Sequence, residues 1–204
     1  MSVEHVEVLV EEPSAEAALA LILPKLLGEV SFAVRPFQCK AELLTQFPKR
    51  LRGYARWMPK TWRIVVLVDC DDDDCTRLKA QMEDAAERAG LTTPKTSAGA
   101  GFSVVNRLAI EELEAWYFGD WEAVRAAYPR VSAQIPLKAP YRDPDGINGT
   151  WEAFEKVLKK AGYFKTGLRK IEAARSVARH FRPDENRSKS FQVFRDALRD
   201  MVRT

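Results

Sequence analysis

The residues with the clearest chemical potential follow one apolar run. Ile64 to Val68 is uninterrupted hydrophobe, and Asp69, Asp71, Asp72, Asp73 and Asp74 come directly after it. Carboxylates packed that densely repel one another, and a divalent cation would relieve the repulsion. Ligands that are all oxygen select Mg²⁺ or Mn²⁺ over zinc. A second apolar run, Val6 to Val10, also ends on acids, Glu11 and Glu12. A third acidic group, Glu111, Glu112 and Glu114, follows the apolar stretch 102–110.

The elements that must position these acids can be read from the pattern. The run at 64–68 suits a strand buried on both faces of a parallel sheet. Its C-terminal end is where open α/β sheets place ligands. Strands are expected at 6–10, 30–34, 64–68 and 102–110. Helices are expected at 15–27, with Ser14 as N-cap, at 41–57 with a break at Pro48 or Gly53, and from Asp74 or Thr76 to Ala89. Two more begin at Glu111 and Trp121, and residues 92–101 read as loop. Alternation of strand and helix predicts an α/β fold with a mainly parallel sheet flanked by helices and joined by right-handed crossovers. Residues 129–149 carry four prolines and two glycines and read as irregular. Helices at 150–160, 167–180 and 188–202 then form a C-terminal helical extension. The expected division is an α/β core over 1–128 and a loop with helical extension over 129–204.

Composition sets bounds. The chain has 204 residues, 46% hydrophobic and 30% charged, with net charge +3. That is enough to build a real core, and too even a balance to indicate nucleic-acid binding by itself. Cys39, Cys70 and Cys75 form no zinc pattern with His5 and His180, and reduced thiols in a cytoplasmic protein are expected. Glu4, Glu7, Glu11 and Glu12 interrupt any leader-like apolar core, and no apolar run reaches spanning length, so no membrane segment is expected. No Gly-x-x-x-x-Gly-Lys loop is present, so the chain is not expected to be an ATPase.

A lone Glu after one strand and Asp69-x-Asp71-x-Asp73 after a later one resembles the TOPRIM domain of topoisomerases, primases and overcoming-lysogenization-defect nucleases. That resemblance covers residues 4–118. It departs at Glu12, where those domains usually carry Gly, and the choice between Glu11 and Glu12 as the strand-end acid stays open. Nearly the whole chain is similar to an uncharacterised TOPRIM-like bacterial family known only as a domain of unknown function. The marks are Val10-Glu11-Glu12-Pro13-Ser14, Asp69, Ile110-Glu111-Glu112-Leu113-Glu114-Ala115-Trp116, and Asn186-Arg187-Ser188-Lys189-Ser190-Phe191.

The resemblance implies a TOPRIM-like fold and metal-assisted phosphodiester cleavage, in bacterial defence against foreign DNA beside an AAA or ABC-type ATPase. Glu11, Asp69 and Asp71 would be the catalytic residues. Glu11, Glu12, Asp69, Asp71, Asp73 and Glu112 would hold Mg²⁺ or Mn²⁺, and oligomers are compatible with it. A non-catalytic binding or regulatory module is the alternative, and another Mg²⁺-dependent phosphoryl-transfer enzyme is a third. Plainer roles exist for every acid. The aspartates could cap the helix after Asp74, Glu11 and Glu12 could be first-turn acids, and Glu111, Glu112 and Glu114 could be the polar face of an amphipathic helix.

Residues 49–63 interleave six cations with Tyr54, Trp57 and Trp62. Arg50, Arg52, Arg56, Lys60 and Arg63 are candidates for contacting nucleic-acid phosphates, DNA foremost, with the aromatics near bases. The stretch directly precedes the acidic strand and is expected near the metal. An ordinary basic helix face is the plain reading. A second basic cluster spans Lys165 to Arg179. Lys189 is a candidate phosphate partner through the resemblance alone.

Overall fold

The structure, a computed structural model, describes residues 2–97 and 101–203. Part of the loop expected at 92–101 therefore lies outside the described residues. Four strands, β1 (His5–Val10), β2 (Ser31–Pro36), β3 (Trp62–Asp69) and β4 (Val104–Ala109), form one sheet in the order β2-β1-β3-β4. Every pairing is parallel. The fold is α/β, as the alternation predicts.

Parallel neighbours need crossovers, and here those are α1 (Pro13–Leu27), α2 (Lys40–Trp57) and α3 (Cys75–Arg88). From β1 the chain steps outward to β2, then reverses past β1 to β3 and β4. With right-handed crossovers this reversal puts α1 on one face and α2 and α3 on the other. The period of two in the strands matches that division. Val6, Val8, Val10, Val65 and Leu67 pack with α1, whereas Leu9, Ile64, Val66 and Val68 pack with α2 and α3. A strand with both faces covered must be apolar throughout, which explains the run at 64–68.

Local differences from expectation have local causes. Ser14 is not the N-cap of α1: Glu12 occupies that position, and Pro13 takes the first helical turn, where its missing N–H costs nothing. Helix α2 runs unbroken through Pro48 and Gly53. Leu43, Phe47, Leu51 and Tyr54, one stripe at helical spacing, hold it on the sheet. Asp74 caps α3 as expected, accepting the Thr76 and Arg77 N–H groups.

Beyond β4 come α4 (Glu114–Gly119), α5 (Trp121–Ala127), three single 3-10 turns between Ile135 and Gly146, α6 (Thr150–Lys160), α7 (Lys170–His180) and α8 (Lys189–Arg203). These pack on the α1 face and share one continuous hydrophobic cluster with it. Trp116 of α4 is the hub, with its ring centroid 5.1 Å from Phe191 and 5.0 Å from Phe194. Its indole N–H donates to Ser190 Oγ at 2.9 Å. Asp120, buried, accepts from the Arg182 guanidinium and the Ala123 N–H. Lys25 of α1 donates to the Ala178, Arg179 and Phe181 carbonyls at the end of α7. Among the described residues no helix is long and apolar enough to cross a membrane.

Candidate functional site

The reversal of strand order lies between β1 and β3, the switch point where sheets of this kind open a crevice for ligands. Glu11 follows β1 there and Asp69 ends β3. Register places Val10 beside Leu67, so both acids emerge at the same rim. The Asp69 N–H donates to Glu11 Oε2 at 3.2 Å.

Burial pushes the Glu11 carboxyl up to about 7; the Asp69 N–H opposes this, while Asp71 raises it, Lys40 lowers it and Glu12 raises it. Asp69 is held well above the ordinary carboxylate range, first by burial, then by the charges of Glu11, Glu114, Glu12 and Asp71. Both shifts report negative charge concentrated away from water.

Glu114 belongs to this group. Its side chain is 3% exposed, and Oε2 has no hydrogen-bond partner. Burial raises its carboxyl to about 7 against the pull of Lys170. The sequence counts it among the marks of the family resemblance, with the polar face of a helix as its plain alternative. Every residue of α4 is buried, so that helix has no polar face.

The neighbouring acids have other duties. Glu112 Oε2 accepts from Thr150 Oγ1 at 2.9 Å and Trp151 N at 2.8 Å, so it caps α6. Glu111, at φ 58°, accepts the Gly149 N–H on its side chain and the Asp71 N–H on its carbonyl. Glu12 accepts the Ser14 hydroxyl and lies 3.7 Å from Lys170 Nζ.

Lys40, the first residue of α2, is a member that sequence reasoning missed. Its Nζ lies 2.7 Å from Asp71 Oδ2, 2.9 Å from Asp73 Oδ2 and 3.1 Å from the Cys70 carbonyl. An ammonium thus holds the two outer aspartates. Asp71 sits at φ 46°, a left-handed conformation that Asp tolerates better than most residues. Cys70 and Cys75 form a disulfide across this turn, with Cα atoms 5.7 Å apart. This corrects the expectation of reduced thiols there. The turn from β3 into α3 folds back on itself and brings the two sulfurs together. Cys39 is free.

The donors at the rim suit a hard cation. They are all carboxylate oxygen, and one buried oxygen, Glu114 Oε2, lacks any partner. They are gathered but not closed into a cage: among the described residues no three His, Cys, Asp or Glu side chains already stand as a metal-holding set. Glu11, Asp69 and Glu114 would be the inner ligands. Asp71 would join only if Lys40 gave way.

A family model described as Domain of unknown function (DUF4276) matches residues 10–199. The chain belongs to that family. Among curated proteins and solved structures, none matches. The span of the DUF4276 match includes every acid of the rim, together with Lys40 and Lys170.

The basic candidates of this DUF4276 chain lie apart from one another. Helix α2 begins at the acidic rim with Lys40 and runs away from it, while β3 begins at Trp62 and ends at Asp69. Arg56, Lys60 and Arg63 therefore sit at the opposite rim, roughly 20 Å away along the strand. This corrects the expectation that the stretch adjoins the acids. Arg63 Nη1 donates to the Lys60 and Trp62 carbonyls and shapes the turn into β3. Arg50 stacks over Phe37 at 4.9 Å. Arg52 lines a cavity of 620 Å³ between α2 and α3, together with Arg77 and Arg88.

Lys189 lines a cavity with Cys75, Thr76 and Ile110, beside the acidic turn. Its N–H donates to Asp145, and its Nζ lies 3.1 Å from Gln192 Oε1. The segment around it is a clasp. Asp145 also accepts from Ser188 Oγ and from both Ser190 N and Oγ, capping α8, while Asn186 donates to the Trp116 carbonyl.

Proposed function

We propose that this DUF4276 protein is a TOPRIM-like, Mg²⁺-dependent nuclease that cleaves nucleic-acid phosphodiesters at the rim carrying Glu11, Asp69 and Glu114. The single observation behind this reading is the convergence of strand-end acids at the switch point, with their carboxyls pushed up by burial and mutual repulsion. Acids held at such cost are the mark of a site made for a cation or a proton transfer.

Asp69 and Glu114 would hold the metal from inside. Glu11, at the same rim, would be a further ligand or the base that takes a proton from the attacking water. Bound Mg²⁺ would supply Lewis-acid polarisation of the scissile phosphate. Lys40 neutralises Asp71 and Asp73, and could release them when phosphate approaches. A defence role with an AAA or ABC-type ATPase that gates cutting belongs to the same proposal, and rests on family resemblance.

The test is cutting of plasmid and single-stranded DNA with Mg²⁺ or Mn²⁺, alone and with an ATPase partner, by wild type, Asp69→Asn and Glu11→Gln. Metal-dependent cutting lost in both variants supports the reading. Cutting that survives both sinks it. One observation favours a non-catalytic module instead: the Lys40 ammonium already fills a cation's place between Asp71 and Asp73. Under that reading calorimetry detects no Mn²⁺ binding at all.

A further inference from the structure

The side of the molecule formed by α6 and the 3-10 turns carries a second feature, distinct from the acids. Arg130, Lys138, Lys156 and Lys160 line one cavity of 370 Å³ with Tyr141 and Val157, and no carboxylate lines it. Several cations elsewhere on the surface are matched locally: Arg125 with Glu122, Lys159 with Glu155, Arg169 with Glu172, Arg199 with Asp184. Here they are not. Among the described residues Lys138, Lys156 and Lys160 make no ion pair with any acid. Arg130 is fixed without one, its guanidinium 4.2 Å over the Tyr163 ring and its Nη2 donating to the Gly162 carbonyl.

Four cations with no counter-charge in one concave site repel one another. The arrangement is unfavourable alone and favourable around a polyanion, whose binding also releases condensed counterions. Lys156 and Lys160 are one helical turn apart, so their heads project along one line. Tyr141 adds an aromatic wall and is stacked on Phe118 with ring planes 3° apart. Cations in a row beside a fixed aromatic are what single-stranded nucleic acid uses. Helix α6 also ties this cavity to the acids. Its first turn is capped by Glu112, and Lys156 and Lys160 lie about 9 and 15 Å further along its axis.

We propose that this cavity grips the sugar–phosphate backbone of a single nucleic-acid strand that extends from the acidic rim. The proposal rests on the nuclease reading for the identity of that strand, and its test separates the two because binding is measured without metal. Fluorescence anisotropy of a labelled single-stranded oligonucleotide in EDTA reads affinity across a salt series. Lys156→Ala/Lys160→Ala is expected to bind at least about tenfold more weakly. Its slope of log affinity against log salt should be shallower by about 1.4, two contacts' worth for a single strand. Lys138→Ala, on a different element, should show the same sign. Lys95→Ala/Arg203→Ala, an equal charge change elsewhere, should stay within about twofold. Equal loss in that control would mean nonspecific charge and overturn the proposal. So would unchanged binding in the cavity variants, no binding by wild type, or displacement of the strand by micromolar pyrophosphate, which would mark a small phosphate ligand. Intact binding with no cutting under Mg²⁺, both alone and with the ATPase partner, would sink the nuclease reading and leave this site standing.

Discussion

Glu11 accepts the Asp69 backbone N–H at 3.2 Å, joining two residues 58 apart in sequence across the ends of adjacent strands. The bond fixes Glu11 Oε2 at the main chain of Asp69. A metal that engages Asp69 would therefore meet Glu11 in a defined place. Asp69→Asn is expected to keep this backbone contact and the fold while losing Mn²⁺ binding, read by calorimetry and circular dichroism on the same sample.

Stability should depend on pH with a definite sign. The Glu114 carboxyl lies at about 7 in the folded protein against an ordinary 4.5. Its contribution is present below pH 4.5 and is lost as pH rises through 7, because the unfolded chain ionises first. The shift corresponds to about 3 kcal/mol. Glu114→Gln should thus be more stable than wild type at pH 8 and similar at pH 4 in urea unfolding without metal. The same substitution should weaken Mn²⁺ binding.

Removing Lys40 should separate two roles. Lys40→Met leaves Asp71 and Asp73 without their ammonium. Both acids are partly exposed, so the loss of stability should stay within about 1 kcal/mol. Divalent affinity should rise, since a metal no longer competes with a fixed cation. Unchanged affinity would show that these aspartates take no part in binding.

Reduction offers another handle. The Cys70–Cys75 bridge closes a short loop that contains Asp71 to Asp74. Chain-entropy arguments give such a loop about 2 kcal/mol. Dithiothreitol should lower the melting temperature of wild type and leave Cys70→Ser/Cys75→Ser unaffected.

The Gly119 position should tolerate no side chain. A Cβ there would collide with Asn186 Oδ1 and crowd the Ser188 N–H. Gly119→Ala should destabilise by about 1–3 kcal/mol in urea titrations, as overpacking of a well-filled core does.

Much of the frame was legible in the order of residues. Strands buried on both faces must be apolar along their length, so Val6–Val10 and Ile64–Val68 announced themselves, and the acids after them marked the rim. What escaped depends on contacts between distant segments. Lys40 lies 31 residues before Asp71, and only the packing of α2 brings them together. Glu114 had a plain alternative as solvent-facing charge on an amphipathic helix, whereas α5, α6 and the aromatic rings of α8 pack against α4. The cysteine spacing was visible, but the sharp turn that joins the two sulfurs was not. Lys189 stood in a recognisable segment whose partner, Asp145, sits in a loop with no regular pattern.

That last clasp bears on when the acidic rim can exist. Glu114 shares its helix with Trp116, and Trp116 leans on Ser190, Phe191 and Phe194. During translation, the indole has nowhere to settle until the ribosome has released residues through Phe194. Glu114 therefore reaches its place only once the segment through Phe194 is free to pack, and a nascent chain that stops short of it carries the ingredients of the rim without its full geometry.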